Sequence, residues 1–191
     1  MTQKKLISAI TCVVWILLFG SLPQIKAAEL EGIQFANRYP LQDTSLELRG
    51  SGLLRAMVFA KVYVAALYLP KDIDSKLALS DVPKRLEVEY LRSIAGEDFG
   101  SATNKKISDN VDPQTYEQLL PRIEYHNSLY QDVQPGDRYA LTYIPGKGTE
   151  LTLNGKSKGT VEGADFAAAL FSIWLGPKPI SESLKKELLG L

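Results

Sequence analysis

Leu48–Leu69, LRGSGLLRAMVFAKVYVAALYL, constrains the fold more than any other stretch of the chain. It carries only three charges in 22 residues, Arg49, Arg55 and Lys61. Val58, Val62, Tyr63, Val64 and Tyr68 are β-branched or aromatic and favour extended backbone. Gly50 and Gly52 allow a bend or a bulge near its start. Its length would cross a bilayer, but Lys61 near the centre and Arg55 close by make insertion costly. The stretch therefore predicts one long strand, or two successive strands, in the middle of a sheet. A cation within such a strand must reach water or meet an anion, because an unpaired buried charge is expensive. Arg55 thus has two readings: a strand-end arginine paired to a structural carboxylate or solvent, and a binding site for an anionic group.

The chain opens with Lys4 and Lys5, then an uncharged apolar run from Leu6 to Gly20, then Ser21–Ala28 with small residues. This is the layout of a secretory signal peptide, cleaved after Ala27 or Ala28, and it predicts a periplasmic or secreted protein. The competing reading is an uncleaved anchor, for which the apolar run is short. The expected organisation is a leader at 1–28 and a single domain at 29–191, long enough to bury a core. Loss of Lys4, Lys5 and Lys26 with the leader turns 22 basic against 22 acidic residues into 19 against 22. Nothing in that balance suggests nucleic acid or an anionic membrane surface as partner. The only cysteine, Cys12, lies in the leader, so the domain has no disulfide, thiol nucleophile or cysteine metal site. A single histidine, His126, excludes the multi-histidine zinc sites and argues against a Ser-His-Asp triad. Its setting reads as an exposed helix end. No metal and no cofactor is expected.

Arg85–Arg92 alternates, with Leu86, Val88 and Tyr90 on one face and Glu87 and Glu89 on the other, as in a half-buried antiparallel strand. Glu97–Asn110 reads as a helix. Asp112-Pro113 starts another, with Tyr116, Leu119, Leu120 and Ile123 in one stripe and Pro121 predicted to kink or end it. Arg138–Ile144, Glu150–Leu153 and Lys156–Val161 read as strands, the last two joined by the Asn154-Gly155 turn. Asp165–Leu175 and Glu182–Leu189 close the chain as helices, the last capped by Ser181 and followed by Gly190. The sum is α+β: one twisted, mostly antiparallel sheet with helices on one face.

LRGSGLLRAMVFAKVYVAALYLP, the later NGK hairpin and the C-terminal AALFSIWLGPKPISESLKKELLG together resemble the chalcone isomerase-like family, and more narrowly its bacterial exported branch. The resemblance spans about Gly32 to Gly190. It implies an open-faced β-sandwich, a large antiparallel sheet under a helical layer, with a ligand cleft between them. In the plant enzymes of this family an arginine stabilises the phenolate or enolate during chalcone cyclisation, and Arg55 resembles its counterpart. The enzymes' threonine falls at about Tyr63, their catalytic tyrosine at Phe99 and their asparagine at about Lys106. A phenylalanine at 99 lacks the catalytic hydroxyl and speaks against cyclase activity. Non-catalytic members bind fatty acids, with an arginine and a tyrosine on the carboxylate. The resemblance therefore implies Arg55 and Tyr63 as carboxylate ligands, on one face if the strand between them is regular.

Three functions follow. The first is an exported, non-catalytic binding protein for a small amphiphilic anion such as a fatty acid, held by Arg55. The second is an isomerase or intramolecular lyase on chalcone-like or other enolisable phenolic substrates. The third is a structural or partner-binding domain with a closed cleft, in which Arg55 pairs with a glutamate. The ligand sites expected are Arg55, Tyr63, Phe99 and Lys106, with no catalytic residue assigned. Ligand identity, oligomeric state and pathway are not written in the sequence.

Overall fold

A computed structural model describes residues 28–41, 44–57 and 59–191. Apart from Ala28, the expected leader lies outside the described residues. Among these, no helix is long and apolar enough to cross a membrane.

A short hairpin, β1 (Ala28–Leu30) and β2 (Ile33–Phe35), comes first. Seven strands then form one antiparallel sheet in chain order: β3 (Arg38–Leu41), β4 (Thr44–Ala56), β5 (Ala60–Pro70), β6 (Lys84–Tyr90), β7 (Arg138–Ile144), β8 (Gly148–Leu153) and β9 (Lys156–Val161). Four helices pack with it: α1 (Gly96–Asn110), α2 (Pro113–Ser128), α3 (Ala164–Leu175) and α4 (Glu182–Leu189). The fold is the expected α+β sheet with a helical layer.

The 48–69 stretch is two strands. β4 and β5 pair with Leu54 opposite Tyr63, and the register shifts between Leu48 and Gly50 and again between Leu54 and Arg55. Tyr63, Ala65, Leu67 and Leu69 face the helices. Val64, Ala66 and Tyr68 face a smaller core on the other side, closed by Ile33 and Phe35 of the hairpin and Leu41 of β3.

α3 is apolar around almost its whole circumference, with Phe166, Leu170, Phe171 and Ile173 among its buried residues. A helix of that kind belongs in the interior. It touches α1, α2, α4 and the sheet. α4 lies across β4, where Gly50 and Gly52 leave room for it: a side-chain carbon at Gly50 would stand 2.0 Å from the Glu187 carbonyl oxygen. Asp112 caps α2 by accepting from the Thr115 N–H (3.0 Å), and Ser181 caps α4 through the Leu184 N–H (3.3 Å).

Three expectations change. Pro121 does not end α2, which runs unbroken to Ser128. The proline is on the exposed face, so the Glu117 carbonyl it leaves without an N–H partner meets water. Glu87 is not on a wet face; it is buried on the hairpin side of β6 with Arg85, their side chains paired at 2.9 Å. His126 is not an exposed helix end. It is fully buried, packed edge-on against Tyr130 and Phe166, with Nδ1 unpartnered and Nε2 3.1 Å from the Tyr130 hydroxyl.

Burial pulls the His126 imidazole down to about 4, so the folded protein holds it neutral. The unfolded chain binds the proton near pH 6.5. A group depressed in this way contributes stability above its unfolded value that is lost as pH falls towards its folded value. We expect thermal stability to decline between about pH 6.5 and 4, by roughly 2–3 kcal/mol from this residue alone. Replacing it by phenylalanine should flatten that segment of a stability-against-pH curve; an unchanged slope would show that His126 does not titrate with unfolding.

Candidate ligand cleft

β6 presents Leu86, Val88 and Tyr90 towards the helices, and β7 places Tyr139 and Leu141 directly opposite Val88 and Leu86. Over this floor stand Phe99, Ala102, Thr103 and Lys106 of α1 and Ile173 and Trp174 of α3. Between them is a partly open cavity of about 240 Å³, just below the ~300–1,000 Å³ usual for small-molecule clefts. Asp98 and Ala102 are exposed and mark its rim.

Five aromatic rings shape one side. Tyr90 meets Tyr63, Phe99 and Tyr139 edge-on, with centroids 5.8, 5.4 and 6.1 Å apart. Phe99 stacks on Tyr130 at 5.0 Å. Edge-to-face packing of this kind adds to the stabilisation from burial alone and fixes the rings. The cleft wall is therefore apolar and rigid.

Several polar groups on that wall keep a proton to donate, while Asp98 at the rim is an acceptor. The Tyr63 hydroxyl accepts from the Trp174 indole N–H (2.9 Å), which leaves its own proton free to donate. Burial raises the phenols of Tyr63 and Tyr90 well above their usual value and pushes Tyr130 up to about 12. All three stay protonated at neutral pH. Lys106 adds an ammonium at the cleft edge. It donates one proton to the Pro179 carbonyl (3.1 Å) and lies 4.0 Å from Asp109, so its donor capacity is not used up. Asn110 holds this edge together: its amide nitrogen donates to the Lys106 and Lys178 carbonyls and its oxygen accepts from the Lys178 N–H. The wall thus offers hydrogen-bond donors to whatever enters.

Of the four residues singled out from the sequence, three line this cleft: Tyr63, Phe99 and Lys106. Arg55 does not. Its side chain is half exposed and lies 3.9 Å from Glu31, which also pairs with Lys61 at 2.5 Å. The cause is the pleat: Leu54 points into the cleft, so the next residue points away, and the register shift after Leu54 does not reverse it. The sequence reading missed Trp174 and Tyr130 as cleft residues. Tyr90 was legible, since the alternation of β6 puts it on the face of Leu86 and Val88.

Residues 27–190 match the family described as chalcone isomerase-like. The chain belongs to that family. A solved structure of a fatty-acid binding protein from Arabidopsis thaliana superposes with a TM-score of 0.70, covering 86% of this chain and 96% of that one at 13% identity. At that identity the likeness establishes the shared fold. No curated protein matches the sequence.

Proposed function

We propose that this protein is a non-catalytic binding protein for a small amphiphilic acid, such as a fatty acid, taken up in the cleft between the sheet and helices α1 and α3. The observation that carries the reading is a pair of placed donors, the Tyr63 hydroxyl and the Lys106 ammonium, on the wall of an otherwise largely apolar cavity. Trp174 occupies an acceptor site of the Tyr63 oxygen, and Lys106 has no acceptor to offer. A carboxylate accepts from both kinds of donor, and hydrogen bonds to a charged partner are the stronger ones. The hydrocarbon part of such a ligand would lie against Val88, Leu141, Ile173 and the aromatic rings. The likeness of the fold to a fatty-acid binding protein supports this ligand class.

In this reading Arg55 has no part in the cleft, which separates it from the arginine-held carboxylate implied by the family resemblance. The isomerase alternative implied by the resemblance needs the arginine at 55 in the cleft and a hydroxyl at position 99. Arg55 faces away from the cleft and position 99 is phenylalanine, so the cation at the cleft is Lys106 and the enzymes' arrangement is not reproduced.

The test is a fluorescence titration with a long-chain acid and its methyl ester. The acid should bind more tightly than the ester. Lys106→Met and Tyr63→Phe should each weaken the acid by roughly 10-fold or more, the scale of a charge-assisted hydrogen bond. Arg55→Met should leave it unchanged. Equal affinity for acid and ester, indifferent to both cleft substitutions, would refute the proposal.

A further inference from the structure

The turns of this sheet are built in two different ways. The β8–β9 turn carries Asn154 and Gly155, both at positive φ (50° and 75°), and Gly146, at 74°, lies in the turn between β7 and β8. These are the residues that tight turns favour on steric grounds. The β4–β5 turn instead presents Met57 and Phe59, 92% and 90% exposed. Met57 is held at φ 55°, a region that non-glycine residues seldom adopt. Both side chains therefore stand almost wholly in water at the end of a hairpin, and Met57 does so in a backbone conformation that is itself unfavourable. Backbone in such a region points to a function when the surrounding structure maintains it.

The flanks of the tip are cationic. Arg55 and Lys61 face each other across the hairpin, with side chains 50% and 49% exposed. Glu31 of the neighbouring hairpin is shared between them, which leaves one positive charge in excess beside the tip. Further along the same two strands, Leu54, Val62 and Tyr63 form part of the cleft wall. A pair of large apolar side chains with basic residues set just behind them fits an interface that is oily within and anionic at its surface.

We propose that the β4–β5 tip docks on an anionic lipid bilayer, with Met57 and Phe59 inserted among the acyl chains and Arg55 and Lys61 at the headgroup level. Two side chains at a hairpin end expose far less than the ~1,200 Å² of a specific protein interface, whereas insertion into a bilayer needs no matching surface. The proposal does not depend on what the cleft holds, because an empty cleft would leave the tip unchanged. If the cleft does hold an amphiphilic acid, the hairpin that forms its wall is also the part of the molecule at the bilayer.

Co-sedimentation with vesicles tests this, using the chain from Ala28 that the expected leader cleavage leaves, so that the apolar run near the N-terminus does not itself partition. Phosphatidylcholine vesicles containing phosphatidylglycerol should bind it several-fold more strongly than phosphatidylcholine alone. The Met57→Ser, Phe59→Ser double variant should lose roughly 10-fold or more in partitioning. Arg55→Gln with Lys61→Gln should lose the preference for phosphatidylglycerol, and Glu31→Gln should increase it by freeing both cations. Met57 and Phe59 are almost wholly exposed and Arg55 and Lys61 half exposed, so those two double variants should keep the wild-type melting temperature. Failure of the wild type to bind either vesicle, or binding that the double serine variant retains, would overturn the proposal. So would a dimer that the double serine variant abolishes in a protein that ignores vesicles, since the tip would then be a contact between two copies of the chain.

Discussion

Arg138→Ala is expected to cost about 3–5 kcal/mol of folding stability, the scale of breaking a buried ion pair from one side. The guanidinium reaches two carboxylates on β6. Its NH1 lies 3.0 Å from Glu87 Oε2, and its Nε donates to Glu89 Oε2 at 2.9 Å. It also stacks over Phe35 of β2, 4.7 Å from the ring centroid. The Glu87 side chain is 9% exposed and that of Glu89 18%. Truncating Arg138 leaves Glu89 in that setting without its cation and Glu87 with Arg85 alone, and it removes the platform on which the β1–β2 hairpin rests. Urea denaturation of the variant would read the loss. Adding Glu89→Gln should recover much of it, because the stranded charge and not the missing methylenes carries most of the penalty, whereas Glu87 still pairs with Arg85. A loss below about 1 kcal/mol would mean that water already reaches these carboxylates.

A comparable effect is expected from a single methyl group at Gly50. In Gly50→Ala the new carbon would meet two backbone oxygens of α4, Glu187 O at 2.0 Å and Leu188 O at 2.9 Å. Backbone cannot rotate aside as a side chain can, so α4 must lift off β4. With it would go the burial of Leu184 and Leu188, each worth about 1.5–3 kcal/mol. A loss of about 3 kcal/mol or more follows, with weaker hydrogen-exchange protection in α4. Gly52→Ala is the internal control. Its nearest contacts are side-chain atoms, Glu187 Oε2 at 2.2 Å, Leu184 Cδ1 at 2.7 Å and Glu187 Cβ at 2.8 Å; the carboxylate can swing into solvent, and the other two must give by a small shift. Its cost should stay nearer the ~1–3 kcal/mol of ordinary overpacking. Equal costs at both positions would contradict the close helix–strand approach.

The contrast between the two glycines shows where sequence reading stops. A bend or bulge was the local expectation from Gly50 and Gly52. The register does shift between Leu48 and Gly50, but the larger role is to admit a helix more than 130 residues away, which no local pattern encodes. The strands of the sheet were legible because alternation and turn chemistry are local, as in Leu86–Val88–Tyr90 and Asn154-Gly155. The burial of the second face of β6 was not, because Glu87 and Glu89 read as solvent-facing until Arg138 and the hairpin are in place.

The site divides in the same way. Tyr63, Phe99 and Lys106 came from family resemblance, and the fold brings all three to one cavity. Arg55 takes the first of its two readings, a strand-end arginine beside the carboxylate of Glu31, because its orientation depends on where the strand turns. The 48–69 stretch breaks into β4 and β5, and an alternation count taken across a turn says nothing about shared faces. Trp174 was visible only as one more apolar residue on α3; its bond to Tyr63 joins residues 111 positions apart. His126 looked exposed because Glu124 and Asn127 surround it in sequence, whereas the helix turns its ring inward onto Phe166.

The central claim is that the sheet–helix cleft holds an amphiphilic acid. Its most direct test is mass spectrometry of small molecules released from the chain from Ala28 after incubation with a mixture of fatty acids of graded length, beside an Ala102→Trp variant that fills the cleft from its exposed rim. The account predicts that a narrow range of acids copurifies with the wild type and is absent from the variant. A wild type that retains no acid, or a variant that retains the same acids to the same extent, would contradict it.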